Sequence, residues 1–405
     1  MLTSSQTATE SAKNWRSEAS NLSMTFSENP YAGVQRDVKY AVLGAGGFVG
    51  SALVGRLYRA GAQVLPLIRR IGTGGALLAR FGLPQRVANV LDQDSLKAAF
   101  AGVDIVFHCV TGDRAAIIEG LENSLAAAQA MSVRRFVYLS SAVVYGFRPK
   151  APVNEGSPFN PPPWSEYARN KVSAEKIIGQ WRGGPETVVL RPSIIYGPRS
   201  RDWSEAPARQ IASGTAYLVD HGRGYMNEIH ITHLLDAMLL AAHHPAAANN
   251  IYLLKDDFGL TWKDYYCSLC ELLGVDFATL AAFSWQEVTR SSSKLLLYQK
   301  WAKDAPGVLR SAAWHDPMKA WLKQAPGFEL LRRFASARPV GRVVNGGGAQ
   351  LPAIVPDLGV ALLHTYTQPI ADAKIRTELG FSTRLSLTQI LEGLGRWYRF
   401  MGLVR

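Results

Sequence analysis

Cysteine is scarce, with three in 405 residues at Cys109, Cys267 and Cys270. Three thiols cannot build a disulfide framework, and so few fit a reducing compartment. No run of about 18 apolar residues occurs, so a membrane-spanning helix is not expected. The opening Met1-Leu-Thr-Ser-Ser-Gln-Thr-Ala-Thr-Glu10 lacks the basic-then-apolar pattern of a secretion signal, so a cytoplasmic protein is expected. Acidic residues are the minority, 32 against 44 Lys+Arg, giving a net charge of +12 and a sequence pI near 9.6. Such a field helps to recruit a phosphorylated cofactor or an anionic substrate, or favours a loose hold on an anionic membrane. Nucleic acid is not an expected partner, because no basic helix with interleaved aromatics and no known reading motif is present. Cys267-Ser-Leu-Cys270 has half of a zinc spacing, but no second such pair and no histidine pair accompany it. Both thiols lie in the helical pattern Trp262–Leu273 and read as packing groups, so no metal site is expected.

What is abundant is apolar surface, 47% of residues, enough for a large core and one or two domains. Residues 1–37 are polar and read as a flexible arm. From Val38 onward, short β-branched runs alternate with helical segments. Val38–Leu43, Gln63–Ile68, Asp104–Cys109, Arg135–Leu139 and Thr187–Arg191 read as strands. Gly50–Arg59, Asp94–Phe100, Ile117–Met131 and Ser165–Gln180 read as the helices between them. That alternation predicts an α/β doubly wound parallel sheet over residues 38–200, with ligands at the carboxyl ends of the strands. A substrate lobe is expected over 201–277, a helical cap over 278–360, and helices completing the lobe over 361–405. Basic, aromatic segments at 294–334 suit packing over the lobe, peripheral membrane contact or an oligomer interface.

Three patterns carry chemistry. Gly44-x-x-Gly47-x-x-Gly50 follows the first strand and opens a helix. Its glycines permit the tight turn, close approach of a pyrophosphate and helix–strand packing, with Phe48, Val49 and Gly50 at the helix N-terminus. Past the second strand stand Arg69 and Arg70, where a free ribose 2′-hydroxyl would want a carboxylate; guanidiniums suit a 2′-phosphate, so NADP(H) is expected over NAD(H). Asn89 and Val90 are placed beside the adenine, and Cys109 and Val110 beside the dinucleotide, while His108 reads as a packed core histidine rather than a catalyst. Tyr167-Ala-Arg-Asn-Lys171 puts a phenol and an ammonium on one helix face, an arrangement expected to lower the phenol pKa. Ser141, with Ser140 as the fallback, can hold a substrate oxygen beside Tyr167, and Lys171 would also reach the nicotinamide ribose. The expected chemistry is hydride transfer at carbon coupled to proton transfer at oxygen.

Taken together, these stretches resemble the extended branch of the short-chain dehydrogenase/reductase superfamily, the epimerase/dehydratase-like group. The resemblance spans about residues 38–277 and resumes near 366–400. It rests on the glycine turn, Asp104-Ile-Val-Phe-His108, Ser140-Ser-Ala-Val-Val-Tyr-Gly146, Tyr167-x-x-x-Lys171 and Leu190-Arg-Pro-Ser-Ile-Ile-Tyr-Gly-Pro198. It implies that the sheet is a Rossmann fold, and a nicotinamide cofactor, with Ser141, Tyr167 and Lys171 catalytic; homodimers through helices are common in such proteins.

Departures from the pattern inform the substrate. Sugar-nucleotide members commonly carry an asparagine where Ile194 stands, an arginine at the place of Met226, an aspartate where this chain has Thr232-His233, and an asparagine at Ile117. Missing diphosphate grips argue for an apolar pocket lined by residues such as Val143 and Ile194. The expectation is an NADP(H)-dependent enzyme interconverting a ketone and a secondary alcohol on a fairly hydrophobic small molecule. Two alternatives stand beside it: a sugar or nucleotide-sugar epimerase/dehydratase, and a dinucleotide-binding sensor or assembly subunit without turnover.

Overall fold

The computed structural model describes residues 34–70, 75, 78–83, 86–147, 149, 152–290, 354 and 356–404. Its frame is β1 (Lys39–Leu43), α1 (Phe48–Arg59), β2 (Gln63–Ile68), β3 (Arg86–Val87), α2 (Gln93–Phe100), β4 (Ile105–His108), α3 (Arg114–Ile117), α4 (Glu119–Ala130), β5 (Arg135–Leu139), α5 (Glu166–Gln180), β6 (Glu186–Pro192) and β7 (Ile194–Tyr196). There follow α6 (Ala206–Ala212), β8 (Tyr217–Val219), β9 (Glu228–His230), α7 (Ile231–His243), β10 (Asn250–Leu254), α8 (Trp262–Leu273), β11 (Ala281–Phe283), α9 (Leu358–His364), α10 (Ala373–Leu379) and α11 (Leu387–Phe400).

Seven strands form one parallel sheet in the order β10-β6-β5-β4-β1-β2-β3, the doubly wound architecture that the strand–helix alternation predicted. Side-chain alternation feeds a core on each face. Tyr40 and Val42 of β1, with Ile105 and Phe107 of β4, pack against α1 and α7. Ala41, Leu43 and Val106 point the other way, onto α2, α4 and α5. A third core gathers Tyr196, Met226, Trp262, Tyr265, Leu269, Leu394 and Tyr398, joining α6, α8 and α11 beneath the parallel pair β7–β9.

Two differences from the sequence expectations concern connectivity. The chain leaves the sheet after β6 but returns: Asn250–Leu254, within the stretch read as the substrate lobe, pairs with β6 as the edge strand. Its run Asn-Ile-Tyr-Leu-Leu is short, and only the pairing reveals its place. The expected helix Ile117–Met131 is divided at Ile118 into α3 and α4. Residues 34–37 of the expected arm are anchored, with Tyr40 Oη accepting from Gln35 N at 3.0 Å and Arg36 Nε donating to Ala60 O at 3.1 Å. Residues 1–33, and the basic aromatic segments at 294–334 with any membrane, packing or interface role, lie outside the described residues. Among the described residues, no helix is long and apolar enough to cross a membrane.

Candidate active site

The glycine turn sits at the carboxyl end of β1, and steric contact explains two of its glycines. Gly44 has φ +75°, and a Cβ there would lie 2.7 Å from the Cys109 carbonyl oxygen; a Cβ on Gly50 would run into the Gly44 carbonyl. Gly47 is tight rather than barred, 3.3 Å from the same oxygen. Helix α1 begins with no side-chain cap and no acidic residue in its first turn, so its positive N-terminal end is open to an anion. The cradle therefore fits a dinucleotide pyrophosphate.

The other expected cofactor contacts fall around this cradle in different states. Arg69 and Arg70 are exposed just past β2. Asn89 is exposed too, but its side-chain oxygen already accepts from the Leu91 amide at 3.2 Å. The Val90 side chain is buried and its carbonyl accepts from Asn123 at 3.1 Å. Cys109 and Val110 follow β4, and burial pushes the Cys109 thiol up to about 12 against the pull of Lys171. His108 is buried with neither ring nitrogen bonded, its ring tilted against those of Phe136 and Tyr138; burial, then Lys171, hold it neutral with a pKa of about 3.

Helix α5, capped by Ser165 accepting from the Ala168 amide at 3.2 Å, presents Tyr167, Lys171 and Glu175 at successive four-residue steps on one face. They descend from surface to core: Tyr167 is 40% exposed, Lys171 1% and Glu175 6%. The Lys171 ammonium donates to Leu139 O at 2.7 Å and Tyr138 Oη at 3.2 Å, and lies 5.8 Å from the Tyr167 ring centre. Burial lowers its pKa to about 8, opposed by Cys109 and Glu175. Here the structure corrects the sequence. Tyr167's phenol is raised, not lowered: burial around the oxygen dominates, and the Ser141 hydroxyl pulls back only partly. The ammonium's committed bonds leave it as a deep neighbour rather than a direct partner. The result is a phenol protonated at neutral pH, ready to donate.

The choice between the two serines is decided by their partners. Ser140 is buried and donates to Glu175 Oε1, so its hydroxyl belongs to the core. Ser141 is half-buried at the start of the turn Ala142–Tyr145, its oxygen accepting from the Val143 amide at 3.3 Å and facing Tyr167. Val143 is half-buried on that turn, and Ile194 is half-buried on β7 with its amide bonded to Asn227 O at 3.3 Å. Met226, 1% exposed, belongs to the third apolar core.

Sequence reasoning missed the groups behind this face. Arg191 of β6 makes paired bonds to Glu175, including Nε to Oε2 at 3.0 Å, and also reaches Tyr145 Oη and, at 3.0 Å, Glu155 O. Glu175's spacing from Lys171 was a usable signal; Arg191, among apolar residues, gave none. His233, standing where an aspartate is common, donates from Nδ1 to Asp256 at 2.8 Å and accepts the Leu385 amide on Nε2 at 3.1 Å. A carboxylate is thus present, supplied from beyond β10. A cavity of about 510 Å³ lies toward the amino ends of β6 and β10 among Trp181, Glu186 and Asn249; its lining reaches Glu175 but not Ser141, Tyr167 or Lys171.

Comparison with known proteins agrees with the geometry. The sequence profile of the NAD dependent epimerase/dehydratase family matches residues 40–254. A ketoreductase from Stigmatella aurantiaca acting on 4-hydroxy-2-methyl-3-oxo-4-farnesyl-3,4-dihydroquinoline-1-oxide is 29% identical over 58% of this chain and 73% of its own. An N-acetyl-alpha-D-glucosaminyl-diphospho-ditrans,octacis-undecaprenol 4-epimerase from Escherichia coli O157:H7 is 25% identical over 53% of this chain and 66% of its own. In fold, a short-chain dehydrogenase/reductase superfamily protein from Agrobacterium tumefaciens, solved with bound NAD, superposes with a TM-score of 0.59 at 21% identity, covering 90% of this chain and 98% of that one.

Proposed function

Because this chain belongs to the NAD dependent epimerase/dehydratase family, whose members are NAD(P)-dependent enzymes of the extended short-chain dehydrogenase/reductase type, we propose that it interconverts a ketone and a secondary alcohol on a fairly hydrophobic small molecule. One observation carries this reading: a protonated Tyr167 phenol facing Ser141, with Lys171 buried behind it. The turn Gly44–Gly50 and the N-terminus of α1 would hold a nicotinamide dinucleotide, which would supply the hydride to the carbonyl carbon. Tyr167 gives its proton to the carbonyl oxygen, and Ser141 donates a hydrogen bond that orients it. Lys171, with a pKa of about 8, offsets the phenolate charge as it forms. Hydride plus proton account for both hydrogens of the alcohol, and the reverse direction uses Tyr167 as base.

Burial of Met226 in the apolar core, where sugar-nucleotide enzymes commonly place an arginine, supports an apolar substrate, as does the farnesylated substrate in the name of the Stigmatella relative. The diphospho-sugar epimerase relative favours the second reading, a transient oxidation by the same residues. Exposed Arg69 and Arg70 support NADP(H) through a 2′-phosphate contact.

The test is turnover of hydrophobic 3-oxo compounds with NADPH and with NADH. Tyr167→Phe is expected to lose roughly 10²–10⁴-fold in kcat, the range for a positioned general acid. Full turnover in that variant defeats the mechanism. Arg69→Ser/Arg70→Ser is expected to raise the KM for NADPH while leaving that for NADH unchanged; a wild-type preference for NADH defeats the cofactor reading.

A further inference from the structure

Five arginines gather on a cavity of about 220 Å³ along the outer side of α1 and the start of α7: Arg56, Arg59, Arg80, Arg199 and Arg384. One carboxylate, Asp236, answers two of them, Arg56 and, at 2.7 Å, Arg384. Arg59, Arg80 and Arg199 have no carboxylate within salt-bridge distance among the described residues. Glu205 pulls on Arg199 from farther off. Arg80 is exposed overall, but partial desolvation of its guanidinium lowers it from its ordinary value, and the like charges of Arg199 and Arg59 press the same way. Asp236 and the more distant Glu205 offset only part of this crowding of like charge.

A second observation points to the same place. His230 lines the cavity and is 1% exposed. Its Nδ1 accepts the Thr232 amide at 3.3 Å, and burial, then His233 and Arg384, hold the ring neutral with a pKa of about 3. The ring proton therefore sits on Nε2, which is buried with no acceptor. Arg56 Nε is likewise buried without one. Buried donors left without acceptors are costly, and they add to the excess of donors over acceptors around this cleft, which a ligand made only of acceptor oxygens with negative charge would answer at the arginines.

We propose that this cleft is a second binding site, for a phosphate or diphosphate group, separate from the glycine turn. Its volume of about 220 Å³ is enough for such a group. The cleft meets α1 along Phe48, Ser51, Gly55, Arg56 and Arg59, sharing Phe48 with the first turn of the helix but none of Gly44, Gly47 and Gly50. Arg199 lies three residues beyond β7, the strand carrying Ile194, so the bound group sits behind the expected substrate wall.

Calorimetry with the full chain saturated with a nicotinamide dinucleotide, so that the glycine turn is filled, tests this directly. Inorganic pyrophosphate and phosphopantetheine are titrated separately, the first standing for a free anion and the second for the phosphate of a carrier-bound substrate. Saturable binding of either, tighter than about 1 mM, is the expected result, and the tighter one names the source. Arg80→Ser and Arg199→Ser are each expected to weaken it at least tenfold, with the thermal midpoint unchanged. Should Arg199→Ser not fold, Arg80→Ser, on an exposed side chain, decides alone. Absence of saturable binding, binding retained by the serine variants, or binding abolished by the dinucleotide overturns the proposal. The readout is binding, so it stands or falls independently of any turnover.

Discussion

Replacing Glu175 with glutamine tests the buried pair beneath the Tyr167–Lys171 face. Arg191 and Glu175 are 2% and 6% exposed, and the guanidinium reaches both carboxylate oxygens, Nε at 3.1 and 3.0 Å. Glutamine keeps the volume but removes the charge, leaving a cation in the core with one partial acceptor. Breaking a buried pair from one side costs about 3–5 kcal/mol. At roughly 2–4 °C per kcal/mol for a domain of this size, the midpoint is expected to fall by roughly 6–20 °C. Differential scanning calorimetry of Glu175→Gln against wild type measures it. The double variant Glu175→Met/Arg191→Met, which leaves no orphan charge, is expected to recover much of the loss. Activity should fall as well, since Glu175 accepts from Ser140, next to Ser141. A Glu175→Gln midpoint within about 2 °C of wild type, well under the shift implied by the buried-pair range, refutes the idea that this pair anchors α5 to β6.

Lys171 gives a pH test with a definite sign. Its folded pKa of about 8 is below the ordinary value, so the unfolded chain binds more protons between the two, and stability rises with pH across that window. Relative to Lys171→Met, wild type is expected to gain about 3 kcal/mol from pH 8 to above 10, at about 1.4 kcal/mol per unit; parallel urea titrations of the two proteins check it, and a pH-independent difference contradicts the burial argument. Gly44→Ala places a Cβ 2.7 Å from Cys109 O at φ +75°, so it is expected to destabilise by at least ~1–3 kcal/mol and to weaken dinucleotide binding in a fluorescence titration. Retained affinity would show that the turn relaxes.

Much of the sheet was legible because its strands alternate with helices and its motifs are local. Gln63–Ile68 and Arg135–Leu139 were bounded as observed. β10 escaped because five residues carry too little period to distinguish a sheet edge from a lobe strand, and its partner β6 is some sixty residues earlier. The Tyr167–Lys171 face followed from helical spacing alone, but the direction of the phenol's pKa did not. Spacing gives proximity, whereas the balance between an ammonium and desolvation depends on what else the ammonium bonds to.

By itself, then, the sequence determined the doubly wound fold, the position of the glycine turn and the placement of Tyr167 and Lys171 on one helix face, since each is written in short-range order. Tertiary structure decided which serine is available, that Tyr167 is held protonated, that Asp256 supplies the carboxylate to His233, and that arginines from four separate stretches meet in one cleft. Those outcomes depend on burial and on charges far apart in the chain, and only folding sets them side by side.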